Sequence, residues 1–252
     1  LNVDTLDLEK ENDNGFRSPS SVMPMDPVYA TFTSGSTGTP KGVIVTHSGY
    51  VASALAHGGP YSFTPKSRVL QFASPAFDSC IIEHLTTLMF GGCICIPSAA
   101  NCHSNLEKAI SNFAVNVACL TPTVTRIVQP DNLPTLEVLV FVGEAVLASD
   151  VSRWEPFVQV RNAYGPAECS AVFSVQPRLQ HHDPTNIGFA TGSVGWVVDP
   201  QNHERLMPVG CPGELLIEGL TVGNGYISNP DQTAQVFIEA PSWRSHLGAA
   251  PT

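Results

Sequence analysis

A ten-residue stretch from Thr33 to Gly42 combines glycines and small hydroxyl residues with one lysine, Lys41. Such a segment has little to pack in a core, but its backbone N–H groups, its hydroxyls and the Lys41 ammonium suit the binding of a polyphosphate. It is not a Walker loop, because there Ser or Thr and then a helix follow the lysine, whereas Gly42 and an apolar run follow Lys41. Taken alone, this composition is equally typical of a linker or a turn.

Three further stretches carry side chains that could do chemistry. Asp78 follows Phe77 where a loop meets a predicted helix, so it is either a helix N-cap or a carboxylate that pairs with an ammonium at the mouth of a pocket. Gly143 follows a predicted strand and is by itself typical of a turn. In the stretch from residue 162 to 168, Tyr164 precedes Gly-Pro as a packed turn aromatic often does, and Glu168 places a carboxylate at the end of the stretch.

Bulk composition excludes several classes of function. The chain has 252 residues and a net charge of −10, which argues against nucleic acid or an anionic membrane as its main partner. No apolar run is long enough to span a bilayer. Seven cysteines without a Cys-x-x-Cys pair favour buried free thiols over a disulfide framework or a zinc site, and so indicate a cytoplasmic location.

The elements that must position these residues alternate regularly. Apolar segments at 28–32 and 43–45 predict two strands beside the glycine-rich stretch, the first of them buried. Further strands are predicted at 68–72, 93–96, 115–120, 136–142 and 158–161, with helices at 50–57, 78–90, 105–112 and 148–154, and Thr46 or Ser48 caps the first helix. Short apolar strands that alternate with helices indicate an α/β fold with a largely parallel, helix-covered sheet.

The composition and the predicted secondary structure divide the chain into three parts. Residues 1–25 are predicted to be the end of a leading strand followed by an exposed loop, and residues 26–185 form the α/β part. Beyond that, frequent glycines punctuate short strands, so residues 186–252 are predicted to be a β-rich part of the same core.

The ordered motifs resemble those of the adenylate-forming superfamily, and in particular the adenylation domains of nonribosomal peptide synthetases. They are the stretch 33–42, Phe77-Asp78, Gly143-Glu144-Ala145, Asn162-Ala163-Tyr164-Gly165-Pro166-Ala167-Glu168, and the run from Gly213 through Gly225-Tyr226 to Phe237, which we interpret as scaffold. Where most members carry Thr, this chain has Ala167. The lost hydroxyl removes one hydrogen bond of about 0.5–1.5 kcal/mol, so we interpret the change as tuning.

The resemblance implies a role for each motif. Lys41 and Glu168 are the implied catalytic residues, with Glu168 as the Mg²⁺ ligand, and Asp78 binds the substrate's α-amino group. The phosphates of ATP contact Thr33, Ser34, Gly35, Ser36, Thr37, Gly38, Thr39 and Lys41. Adenine contacts Gly143, Glu144, Ala145, Asn162, Ala163, Tyr164 and Gly165. The side-chain pocket is formed by Asp78, Ser79, Ile82, Cys119, Val140, Val142, Ala163, Ala171 and Val172.

The implied reaction makes an aminoacyl-AMP and pyrophosphate from an amino acid and ATP. The aminoacyl group then passes to the phosphopantetheine thiol of a peptidyl carrier domain, next to condensation domains of a larger synthetase. Apart from Asp78 and Ser79 the pocket is apolar, which favours a neutral, hydrophobic amino acid. The family's ribose-binding aspartate and the lysine of its mobile C-terminal subdomain have no counterpart in this sequence, so we expect the isolated chain to be a poor catalyst.

Two alternatives remain open at the level of sequence. An acyl-CoA or aryl-acid ligase of the same superfamily has no amine to bind, and Asp78 argues against it. A degenerate nucleotide-binding module would lack the ribose-binding aspartate and the C-terminal lysine in the whole gene.

Overall fold

The structure is a computed structural model that describes residues 21–33, 40–98 and 105–248. Its first element is an antiparallel hairpin of β1 (Pro27–Thr33) and β2 (Lys41–Thr46). The predicted buried character of the first strand is wrong: only Thr31 in β1 is buried, and Phe32 is 61% exposed. The reason is the packing around the two strands: Val43 and Val45 of β2 belong to a buried cluster, whereas the apolar residues of β1 lie at its border or outside it.

Helix α1 (His47–Gly58) begins directly after β2. The Thr46 hydroxyl accepts a hydrogen bond from the Gly49 amide at 3.1 Å, which confirms the predicted cap.

Loss of this cap is expected to have a modest, measurable effect on stability. Replacing Thr46 by alanine should lower the free energy of unfolding by about 1 kcal/mol, because one buried amide at the start of α1 loses its acceptor. Thr46→Ser keeps the hydroxyl and should retain most of the stability in urea denaturation. Equal losses in the two variants would contradict a capping role.

A seven-stranded sheet forms the largest part of the fold. Its strand order is β4-β3-β5-β6-β7-β8-β9, in which the pairs from β4 to β7 are parallel and the last two pairs are antiparallel. The strands are β3 (Arg68–Leu70), β4 (Cys93–Cys95), β5 (Val117–Leu120), β6 (Val138–Phe141), β7 (Gln159–Tyr164), β8 (Ser174–Gln176) and β9 (Phe189–Ala190). The predicted α/β class is confirmed.

Both faces of this sheet are covered, as its apolar strands require. Every residue of β5 and β6 is buried. Because successive side chains of a strand point to opposite faces, Ala118 and Leu139 pack in one hydrophobic cluster while Cys119 and Val140 pack in another.

Helices connect the parallel strands. Residues 79–89 form α2, which starts as α-helix at Ser79–Ile81, widens to a π-helical turn at Ile82–Thr86 and ends as α-helix at Thr87–Met89. The remaining helices are α3 (Leu106–Asn112), α4 (Pro122–Thr125), α5 (Ala148–Trp154) and α6 (Pro230–Val236). None of the helices in these described ranges has the length and apolar character that crossing a membrane requires.

The later part of the chain adds a small antiparallel sheet with the order β11-β10-β12. Its strands are β10 (Val194–Asp199), β11 (Asn202–Leu206) and β12 (Glu214–Glu218). The division at residue 185 stays a prediction.

Candidate active site

The hairpin holds both ends of the predicted phosphate-binding stretch. Thr33 ends β1 and Lys41 begins β2, and the two are paired in the antiparallel register. The intervening residues of the prediction, Ser34, Gly35, Ser36, Thr37, Gly38 and Thr39, lie outside the described residues. The pairing therefore keeps the two ends of this stretch adjacent, with Lys41 at one end.

Tyr226 contacts both Glu168 and Lys41. The Tyr226 hydroxyl donates a hydrogen bond of 2.6 Å to Oε1 of Glu168, and Lys41 Nζ lies 5.3 Å from the centroid of the Tyr226 ring. We call these three residues the Lys41–Tyr226–Glu168 cluster. It places an ammonium and a carboxylate, the two groups that phosphate and Mg²⁺ would require, around one aromatic ring.

Backbone pairing explains why residues so distant in sequence meet here. The Ile227 amide donates to the Gly42 carbonyl at 2.8 Å, so the segment after Gly223 runs beside β2. The Gly223 amide donates to the Glu168 carbonyl at 2.7 Å. We missed Tyr226 in the sequence because its stretch resembles scaffold, and only a long-range pairing reveals its contact with Glu168.

The residues predicted to bind adenine converge on one cavity of about 410 Å³. All seven line it, together with Val146, Thr185 and Ile187. The Tyr164 ring is 43% exposed beside the cavity, and Phe173 packs edge-on against it with ring centroids 6.5 Å apart. This arrangement leaves an aromatic face and backbone groups available to a flat, polar ring.

Most residues predicted to line the side-chain pocket lie together in the core. Six of them belong to a single buried hydrophobic cluster, and Val142 packs against that cluster; the six are Ile82, Cys119, Val140, Ala163, Ala171 and Val172. Asp78 and Ser79 are half-buried at the start of α2. Ala163 lines the adenine cavity as well, so the two predicted binding regions meet at this residue.

Strained backbone lies next to this pocket. Ser170 and Ala171 have φ of 53° and 70°, a left-handed conformation that non-glycine residues rarely adopt. Ser170 is held from two sides, because Ser53 donates to its carbonyl at 3.0 Å and its own hydroxyl donates to the Thr221 carbonyl at 2.7 Å. Strained backbone that is held in place by its surroundings is typical of binding sites. No feature of the sequence predicts this strain.

Asp78 has no ion-pair partner in the part of the chain that the structure describes, and its side chain makes no capping hydrogen bond. Burial raises the pKa of its carboxyl from 3.8 to about 6, against the opposing effect of the Ser79 and Asp78 amides, and the nearby Glu168 carboxylate raises it further. A carboxylate kept partly desolvated and unpaired is suited to an incoming cation.

Glu83 anchors the loop that precedes Asp78. It is fully buried in the π-helical turn of α2, and its side-chain oxygens accept hydrogen bonds from the Phe72 amide at 3.0 Å and from the Ala73 amide. Burial raises the pKa of Glu83 to about 8. The widened turn therefore positions Glu83, and through it the backbone that leads to Asp78.

For an ammonium bound at Asp78, as the resemblance implies, the raised pKa of this carboxyl predicts binding that depends on pH. As the pH falls below about 6, a growing fraction of this carboxyl is neutral and cannot pair with an ammonium, so kcat/KM for an amino acid should fall, approaching about tenfold per pH unit well below the pKa. An aspartate with its ordinary pKa of 3.8 would keep the profile flat far lower.

The matched control is Asp78→Asn, which should have a lower kcat/KM that no longer changes in this pH range. A wild-type profile that stays flat down to pH 5 would contradict the assignment.

The raised pKa of Asp78 also affects stability. Between pH 3.8 and 6 the folded chain binds more protons at Asp78 than the unfolded chain does, so the free energy of unfolding should decrease as the pH rises through that window.

The described residues offer neither a preformed metal cluster nor a disulfide. Among the described residues no cluster of three or more His, Cys, Asp or Glu side chains could hold a metal ion. Six cysteines within the described ranges are free thiols, and four of them are buried, including Cys80 and Cys169.

Curated proteins with similar sequences are large peptide synthetases. The nonribosomal peptide synthetase fmqA of Aspergillus fumigatus is 49% identical over 234 residues, which cover 92% of this chain and 6% of that protein. The nonribosomal peptide synthetase otaB of Aspergillus niger is 47% identical over 236 residues, covering 92% of this chain and 13% of that protein. The chain thus spans a small part of the length of these relatives.

Solved structures with a similar fold are adenylation domains. The Vibrio cholerae adenylation domain AlmE, in complex with glycyl-adenosine-5'-phosphate, matches with a TM-score of 0.73 and 25% identity. The match covers 86% of this chain and 44% of the AlmE chain. An NRPS protein containing adenylation and PCP domains matches in fold, with a TM-score of 0.74 and 24% identity. The match covers 88% of this chain and 48% of the chain of that protein.

The family model of AMP-binding enzymes matches residues 2–227. The chain therefore belongs to the AMP-binding enzyme family, as part of an adenylation domain of the nonribosomal peptide synthetase type.

Proposed function

We propose that the protein containing this chain activates a neutral, hydrophobic amino acid with ATP. The observation that carries the proposal is the junction at Ala163, which lines the adenine cavity and also belongs to the hydrophobic cluster of the amino-acid pocket. An amino acid in that pocket and adenine in that cavity would have the carboxylate and the α-phosphate between them. The aminoacyl-adenylate named for the Vibrio cholerae domain is a molecule of this type.

The reaction is a substitution at phosphorus. A carboxylate oxygen of the amino acid forms a bond with the α-phosphorus of ATP, the bond from that phosphorus to the bridging oxygen breaks, and pyrophosphate leaves with the electron pair. The protein's contribution is to position the two reactants and to stabilise charge on the phosphates.

Each group of residues has a part in that positioning. Asp78 binds the α-ammonium, Thr33 and Lys41 with the stretch between them bind the phosphates, and Asn162 and Tyr164 hold the adenine. Glu168 is the ligand for Mg²⁺, which supplies positive charge to the phosphates when it is bound. The Glu168 carboxylate fits that role because one of its oxygens remains after Oε1 has accepted the Tyr226 hydrogen bond.

The second half-reaction is proposed from the relatives. The thiol of a phosphopantetheine on a peptidyl carrier domain would attack the aminoacyl carbonyl and release AMP, which gives a thioester. Carrier and condensation domains of a larger synthetase are the proposed partners, and a cytoplasmic location stays a prediction that rests on the free cysteines.

Substrate class is proposed from the chemistry of the pocket. Apart from the carboxylate of Asp78 and the hydroxyl of Ser79, the predicted lining consists of aliphatic side chains and a cysteine. A charged side chain would be desolvated there without a partner, at a cost of several kcal/mol. Neutral, apolar side chains avoid that cost.

The test is ATP–pyrophosphate exchange by the protein extended into its neighbouring sequence, with a panel of amino, aryl and fatty acids. Exchange that depends on hydrophobic amino acids is the expected result. Exchange with acids that lack an amine would instead indicate an acyl or aryl-acid ligase. ATP binding without exchange for any acid would indicate a degenerate nucleotide-binding module and would refute the proposal.

A further inference from the structure

Tyr226 is the one neutral member of the Lys41–Tyr226–Glu168 cluster. Its side chain is buried, with 7% of its surface exposed, and it packs edge-on against Phe237 at a centroid distance of 5.5 Å. The backbone on either side of Tyr226 is hydrogen-bonded to β2 at Gly42 and Ile44, which anchors the residue to that strand. The hydroxyl is therefore fixed relative to β2, the strand that begins with Lys41.

The hydrogen bond to Glu168 is short and has one possible direction. A carboxylate can only accept, so the Tyr226 O–H donates to Oε1 at 2.6 Å. One carboxylate oxygen is thereby held, and the orientation of the other is set.

Lys41 and Glu168 do not form an ion pair with each other in the ranges that the structure describes. The Lys41 ammonium instead lies over the Tyr226 ring at 5.3 Å from its centroid, within the range of a cation–π contact. A direct ion pair would occupy both charges and oppose their use on phosphates and a cation.

We infer that Tyr226 is a positioning residue, which orients the Glu168 carboxylate toward a divalent cation and keeps the Lys41 ammonium apart from it. The inference rests on the proposed function in one respect, the role of Glu168 as cation ligand. It assigns to the Gly225-Tyr226 stretch a part in the active site, where the sequence indicated scaffold alone.

The test measures cation binding directly. Mn²⁺ is titrated into the extended protein saturated with the ATP analogue AMPPNP, and free Mn²⁺ is followed by electron paramagnetic resonance. Tyr226→Phe keeps the ring and removes the hydroxyl, and it should weaken Mn²⁺ binding about 10-fold, the size expected for a hydrogen bond to a charged group. Tyr61→Phe is the matched control, because its buried hydroxyl has no partner within the described ranges.

A double-mutant cycle separates positioning from general destabilisation. Glu168→Gln should weaken Mn²⁺ binding by itself, and adding Tyr226→Phe to it should have little further effect, because the hydroxyl acts through the carboxylate. Tyr226→Leu removes the ring as well and should also weaken AMPPNP binding through Lys41. Thermal unfolding of each variant checks that the fold is retained.

The outcomes separate the two ideas. Unchanged Mn²⁺ binding in Tyr226→Phe, with weaker binding in Glu168→Gln, overturns the inference and leaves the cation role of Glu168 intact. Additive effects of the two substitutions also overturn it. Unchanged binding in both variants overturns the cation role of Glu168 and the inference with it, whereas exchange activity tests the proposed reaction separately.

Discussion

Replacing Asp78 by alanine is expected to lower kcat/KM for the amino acid about 10²- to 10³-fold, since loss of one partner of a desolvated charge pair costs about 2–5 kcal/mol. The carboxylate is half-buried and has no cationic partner among the described residues, so the substrate's ammonium would be its main counter-charge. ATP–pyrophosphate exchange over a range of amino-acid concentrations measures the effect, which should be largest in KM.

Asp131→Ala is the matched control for this substitution. Asp131 is an exposed aspartate in the short turn Pro130–Asn132, away from the pocket, and its replacement should leave exchange unchanged. Full exchange by Asp78→Ala, at the wild-type concentration dependence, would show that no ammonium binds at Asp78 and would favour an acid without an amine.

Replacing Glu168 by glutamine should lower the exchange rate about 10²- to 10³-fold at saturating substrates, the size expected when a group that stabilises charge in the transition state is lost. The amide keeps the shape and can still accept the Tyr226 hydrogen bond, but it loses the negative charge that attracts Mg²⁺. The concentration of Mg²⁺ needed for half-maximal exchange should rise as well.

Glu137→Gln is the control for charge removal as such, because Glu137 is exposed and its side chain forms no hydrogen bond or ion pair within the described ranges. We expect wild-type exchange from it. A Glu168→Gln variant with an unchanged Mg²⁺ dependence would remove Glu168 from the cation site.

Much of the fold follows from local patterns. The short apolar runs of β5 and β6 predict strands covered on both faces. The bounds of α5 agree with the prediction because apolar residues recur there at helical spacing. The error at β1 has a physical cause. Val28 and Phe32 have strand propensity, but propensity does not say what packs over a strand, and here the buried cluster forms on β2 and leaves Phe32 exposed.

The site was only partly predictable for a related reason. Asp78 and Glu168 stand in recognisable motifs, so a resemblance suffices to suggest their roles. Tyr226 depends on pairing between segments that are distant in sequence, and the left-handed backbone at Ser170 and Ala171 depends on contacts from other parts of the chain. No local pattern in the sequence encodes such contacts.

The most direct test of the account is the affinity for a stable adenylate mimic. A hydrophobic aminoacyl-adenosine sulfamate and the same compound without its α-amino group would be titrated into the extended protein by calorimetry. The account predicts tight binding of the amino compound and binding of the other about 100-fold weaker, a difference that disappears in Asp78→Asn. Equal affinities for the two compounds, or no binding of either, would contradict it.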